Sequence, residues 1–401
     1  MKYNIRKLNP FLVAVPDIGV GVFWALSGTV APWIIYSHTN SNFHAMLIMS
    51  MGAFTGIFMQ IISGILSDRT KFSLRWGKRT PWILGGVLVA AIGMVFWSIV
   101  PSYALLFIVA FITYAAVNFY QGPYYTMVME VVDRDQIGYA NTLARTTAQI
   151  GATAISFVSA MIFLKFGSLT TCIIIALFLI VPTFIILPNI LKERPENIVA
   201  VPTYKLSMDF AKYPRVLQLF AATFCFFAGY ACLVPMLTPH FVNYLHFSKK
   251  DVGIAMTLYG FTSIFYGILA SRVNDKFNKK KVYIVASTAF FIVFVSGNLI
   301  HHSTLALYIF MGCAGVTFLA TQISIYTLLP EVAPKERLGE FQGILNMFIS
   351  LSQFIIMIVM GKVMDMGGAG ILYPIGGVIV FFAIIIMLPN IKERREKSVA
   401  L

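Results

Sequence analysis

Gln121-Gly122-Pro123-Tyr124-Tyr125-Thr126-Met127-Val128-Met129-Glu130-Val131 returns 201 positions later as Gln322-Ile323-Ser324-Ile325-Tyr326-Thr327-Leu328-Leu329-Pro330-Glu331-Val332. Gln, Tyr, Thr, Glu and Val recur at equal spacing. The same shift carries Gly138 onto Gly339 and Leu187-Pro188-Asn189-Ile190 onto Leu388-Pro389-Asn390-Ile391. A Lys-Glu-Arg run follows each of the latter, and Asp68 has a looser counterpart in Asp275. The matches fall at equivalent ends of apolar runs, so the chain reads as a duplication.

The apolar runs say what was duplicated. Of 401 residues, 58% are hydrophobic and only 11% are charged. A soluble domain carries about 25% charged residues. Mean hydropathy is +0.81. These values exclude a soluble enzyme, a disordered chain and a disulfide scaffold. The runs do not alternate, which excludes a transmembrane β-barrel. Twelve runs reach the roughly 20 residues that cross a bilayer. They cover 11–37, 44–66, 82–100, 103–129, 140–164, 168–190, 214–242, 252–271, 282–300, 304–329, 343–361 and 371–389. The expected fold is an all-α polytopic membrane protein of 12 transmembrane helices in two pseudo-symmetric six-helix bundles, 1–190 and 214–401. A cytoplasmic linker rich in Pro and charge, 191–213, joins them. Two parallel halves related about the membrane normal are a transporter architecture.

Net charge is +14. With the N-terminus inside, all Lys and Arg but Lys165, Lys249, Lys250 and Lys362 fall on the inner half. That is the positive-inside pattern, and it expects both termini to be cytoplasmic. The charge is topological, with some attraction to anionic inner-leaflet lipid, and is not a nucleic-acid footprint. Lys2, Arg6 and Lys7 lead into a run too long for a signal-peptide core. Cys172, Cys225, Cys232 and Cys313 read as apolar fillers within spans. All six histidines lie at or near the outer face and read as solvated loop residues; none has metal-site spacing.

Ionisable residues deep in an apolar span are few and informative. Asp17 stands about 9 Å into the first span and Arg145 about 8 Å into the fifth, at 1.5 Å per residue. The matched depths admit an Asp17–Arg145 pair, either as part of a solute site or as a structural lock between two helices. On the fourth span Tyr114, Asn118, Gln121 and Tyr125 share one face. Tyr124, next to Tyr125, and Gln149, four residues after Arg145, are further candidates. Gln322 and Tyr326 offer a matching pair on the tenth span, and Asn346, Ser350 and Gln353 share a face on the eleventh. Trp24 is a candidate stacking platform. Amides and hydroxyls beside aromatic rings suit a neutral ligand with many hydroxyls. The same residues can also serve as interhelical glue. Pro16, Gly19, Gly21, Gly85 and Gly86 permit kinks and close helix packing.

The loop after the second span reads Ser67-Asp68-Arg69, then Arg75-Trp76-Gly77-Lys78-Arg79-Thr80-Pro81-Trp82. It resembles the glycoside–pentoside–hexuronide:cation symporters of the major facilitator superfamily, with melibiose permeases and sucrose transporters among the relatives. Gln121-Gly122-Pro123 with Glu130, and the segment Gly21 to Pro32, are similar to the fourth and first helices of sucrose transporters. The resemblance implies a major facilitator fold and a sugar or glycoside as substrate. It implies an inner gate in which Asp68, Arg69, Arg75 and Arg79 meet Glu130 and Glu331 across the cytoplasmic gap. It also implies that Asp17 and Arg145 contact sugar. Two departures bear on coupling. The second span carries no acid, with Gln60 as the nearest polar substitute, and Tyr114 replaces the usual fourth-helix acid. Asp17 is the remaining membrane acid, so a proton is expected to couple transport in preference to sodium. The expected molecule is a monomer in the cytoplasmic membrane, without enzymatic activity, cofactor, metal or nucleic-acid partner. Another solute in the same fold (a drug or organic ion), an exporter, a uniporter and a non-transporting sensor remain alternatives.

Overall fold

The computed structural model describes residues 9–70, 76–132, 137–190, 209–233, 237, 240–301, 303–334, 338–366 and 369–389. Among the described residues all regular structure is helical. The first crossing is built from three short helices, α1 (Asn9–Ala14), α2 (Asp17–Thr29) and α3 (Ala31–Tyr36). Pro16 interrupts the path between α1 and α2, and Pro32 sits in the first turn of α3. Proline lacks an N–H and cannot complete the helical ladder, so the kink expected at Pro16 falls there and a second break precedes Pro32.

α4 (Asn42–Arg69), α5 (Thr80–Trp97) and α6 (Tyr103–Glu130) cross as single rods. Ser41 and Ser102 cap α4 and α6 by accepting bonds from His44 N and Leu105 N. α7 (Ile137–Ile190) comprises two helical limbs, the fifth and sixth crossings. Gly167 breaks it with φ 83° and ψ 179°, a backbone geometry that suits residues without a Cβ. The second half repeats the scheme. Its helices are α8 (Pro214–Leu233), α9 (Lys249–Lys276), α10 (Lys279–Ser296), α11 (Thr304–Val332), α12 (Leu338–Asp365) and α13 (Leu372–Met387). A single turn of π-helix, His240–Tyr244, follows α8. The twelve crossings expected from the sequence are therefore present. Only the linker's last turn, Asp209–Lys212, lies within the described residues.

Within the first half α2 packs between the two limbs of α7. Gly21 makes this approach: a Cβ there would fall 1.7 Å from Ala148 O. Of the Gly85/Gly86 pair, Gly86 lies against Tyr120, whereas Gly85 faces open space. Among the described residues the halves meet most extensively where α4 packs against α12 and α7 against α9. Phe54 and Phe354 meet across the first, with ring centroids 5.0 Å apart. Thr153 meets Gly260 across the second. Large apolar side chains such as Ile108, Met161, Phe261, Val285 and Ile309 are exposed, as a lipid-facing surface requires.

One sequence expectation is corrected. His240 is buried and its ring lies against Tyr244 and Tyr373, so it is not a solvated loop residue. The neighbouring turn folds back and encloses it: Leu245 N and Phe247 N bond His240 O and Phe241 O.

Candidate functional site

Arg145 is the centre of the candidate site. It lies eight residues into α7, about 12 Å along the helix. Its Nη1 donates to Tyr125 Oη at 3.1 Å, and its guanidinium carbon stands 4.5 Å from the Tyr125 ring centroid. On the other side it faces Tyr326 of the second half at 6.0 Å. Tyr326 Oη in turn donates to Asn346 Oδ1 at 3.2 Å. Arg145 is nonetheless solvent-exposed. It keeps this accessible surface although residues of both halves bracket it.

Asp17 opens α2 immediately after the Pro16 break. It is fully buried, and neither carboxylate oxygen has a hydrogen-bond partner. Its position at a helix N-terminus suits an acidic group. Arg145 and Tyr125 are close enough to act on its charge. Among the described residues no ion pair joins Asp17 to Arg145; the arginine donates to Tyr125 instead. Asp17 and Arg145 are neighbours without the ion pair that a structural lock would need.

The expected polar face of α6 divides. Tyr114 is buried, donates to Ser27 Oγ at 3.1 Å and stacks near Trp24 at 6.0 Å. Asn118 Nδ2 lies within bonding distance of Gly52 O (2.9 Å), Thr55 Oγ1 (3.0 Å) and Tyr114 O (3.2 Å). Its Oδ1 accepts from Gln60 Nε2 at 3.3 Å. Asn118 thus joins α4 to α6. Gln121 Oε1 accepts from the same Gln60 amide at 3.4 Å, and Gln121 Nε2 is buried without a partner. Tyr124 is buried and donates to Val13 O of α1. Only Tyr125 of this face reaches Arg145. Gln149, one turn beyond Arg145, is half-buried, as are Gln322 and Gln353.

Gln60 belongs to the polar set more fully than its sequence suggested, because it bridges Asn118 and Gln121. Its one sequence signal was an amide in an otherwise apolar span. Ser350 of α12 and Asn118 both lie close to Gly56.

The expected inner gate is only partly visible. Arg79 is buried and donates to Ser67 Oγ at 2.8 Å, while Arg69 is exposed. Glu331 pairs with Lys279 at 2.8 Å. That pair lies within the second half and does not cross the gap. Arg75 and the side chains of Asp68 and Glu130 lie outside the described residues. Among the described residues no group of three or more His, Cys, Asp or Glu could hold a metal ion.

Comparison with known proteins agrees with this architecture. Over 267 residues the chain is 27% identical to the probable nitrate transporter NarT of Staphylococcus haemolyticus. The match covers 64% of this chain and 66% of the relative, just under two thirds of its length. It does not reach the sugar-symporter branch that the loop motif resembles. The model of the Major Facilitator Superfamily matches residues 18–212 and 219–400, nearly all of both halves, and the chain therefore belongs to the Major Facilitator Superfamily.

Proposed function

We propose that the protein moves a small polar solute across the membrane by alternating access, with the solute held between Tyr125, Arg145 and Tyr326. One observation carries this reading: an exposed arginine inside the bundle, flanked by a tyrosine from each half. A solute bound there touches both halves, so their rocking carries it from one side to the other.

A sugar or glycoside fits the residue set. Guanidinium, phenol and amide groups bond hydroxyls, and tyrosine rings offer faces to a pyranose. Asp17, beside Arg145 and lacking a partner, supplies a carboxyl group on which a proton can travel with the solute. A second reading, a small anion, has its own support. Arg145 is not neutralised by an ion pair with Asp17, and the staphylococcal relative is named as a probable nitrate transporter. The comparison favours the anion, whereas the residues favour the sugar.

Purified protein in liposomes separates the two. Uptake of labelled mono- and disaccharides and of nitrate is measured with and without an inward proton gradient. Saturable, gradient-driven accumulation of a sugar supports the first reading. Nitrate flux without sugar flux replaces it by the second. Sugar flux that only equilibrates removes the proton from the mechanism.

A further inference from the structure

Asp365 ends α12, a helix of 28 residues. An acid is disfavoured there, because the C-terminus of a helix carries partial negative charge. Its partners explain it. Ser41 Oγ donates to Asp365 Oδ2 at 2.7 Å, Asn42 N donates to Oδ1 at 2.7 Å, and Phe43 N donates to Oδ2 at 3.1 Å. Those groups form the first turn of α4, in the other half. The carboxylate therefore satisfies orphan N–H groups at the positive end of a 28-residue helix that is not its own. Ser41 is held in place for this, since its Oγ also accepts from His44 N at 3.3 Å. Tyr36 Oη donates to Asn42 Oδ1 at 2.6 Å, tying the end of the first crossing to the same turn.

The contact does not stand alone. One turn below it, Gly361 lies against Met46 and Phe43. At the other seam between the halves, Lys249 of α9 stands 5.1 Å from the Trp33 ring of α3. Both contacts lie at the end of the molecule that the lysine and arginine pattern assigns to the outside. We propose that Asp365 is an outer latch: its carboxylate caps α4 across the two halves and holds the outer mouth shut while the solute site is exposed to the opposite side. This rests on the alternating-access reading. Opening toward the outside then requires α4 and α12 to separate at this end, which leaves the α4 N–H groups to water and removes the latch's contribution.

The test needs no solute, so its failure is distinct from failure of the transport assignment. In a chain with Cys172, Cys225, Cys232 and Cys313 replaced by serine, Met46→Cys reports opening, because Met46 is fully buried in this state. Intact cells are treated with a membrane-impermeant maleimide. Asp365→Ala is expected to raise the labelling rate about tenfold, equivalent to about 1.4 kcal/mol in the opening equilibrium. A rate unchanged within about twofold, in a variant that elutes as a single symmetric peak, overturns the latch. Ser41→Cys with Asp365→Cys gives an independent arm if Asp365→Ala folds poorly. With a protease site placed in the linker, oxidant is expected to join the two halves on a non-reducing gel after cleavage. Halves that separate under oxidant overturn the proposal equally.

Discussion

Arg145 and Asp17 stand out in the sequence for the same physical reason: a charge within an apolar span is costly and needs a purpose. Their neighbours were less legible. Tyr114, Asn118, Gln121 and Tyr125 share a helix face, but periodicity does not say which helix covers which part of it. The structure gives Asn118 to α4 and leaves Tyr125 to Arg145. Different losses follow from substituting them. Arg145→Lys keeps the charge and loses the planar fork. It is expected to weaken solute affinity about tenfold or more in a binding titration, with thermal stability close to the parent. Asn118→Leu is expected to do the reverse. It removes the α4–α6 bonds to Gly52 O, Thr55 Oγ1 and Gln60 Nε2 and costs about 1 kcal/mol of stability in a membrane setting, read as a lower melting temperature in detergent. Equal affinity in Arg145→Lys and the parent would remove Arg145 from the site. Asp17→Asn retains shape and hydrogen-bonding capacity but cannot cycle a proton. Uptake driven by a proton gradient is expected to fall to simple equilibration in this variant, and accumulation at the parent's level would show that the proton travels elsewhere.

Elements were legible where composition alone determines them. A run of about 20 apolar residues must become a helix in lipid, since no other open segment satisfies its backbone. The break at Pro16 was legible too, and the gap between the fifth and sixth runs falls where Gly167 breaks α7, although nothing had marked that glycine. What a sequence does not carry is which glycine faces a neighbour. Gly21 and Gly85 look alike in their spans, yet a Cβ on Gly21 would meet the Ala148 backbone, whereas one on Gly85 would meet nothing within 4 Å. Gly21→Ala must therefore push α2 away from α7, and overpacking of this kind costs about 1–3 kcal/mol. Gly85→Ala removes only the backbone entropy cost of glycine, worth up to about 1 kcal/mol in its favour. Detergent melting curves are expected to move down for the first and to hold or rise for the second. A Gly21→Ala protein as stable as its parent would mean that α2 and α7 do not approach as described.

At the scale of the whole molecule, the repeat announced two halves, and both were found. The inter-half contacts were not announced, because Asp365 and Ser41 are far apart in sequence and neither belongs to the repeat signature. Sidedness is the property on which the latch and the direction of the site both depend, and it rests on the distribution of lysine and arginine. Lys249 and Lys362 belong to one end of the bundle, while Lys279 and Glu331 belong to the other. Each can be replaced singly by cysteine in a chain freed of its native cysteines. Lys249→Cys and Lys362→Cys are expected to react with an impermeant maleimide added to intact cells. Lys279→Cys and Glu331→Cys are expected to react only after permeabilisation. The inverse pattern would turn the molecule over, place the Asp365 contact on the cytoplasmic face and open the Arg145 site to the outside. Reaction of all four from one side would instead break the relation between charge and topology on which the two-half reading of this chain is oriented.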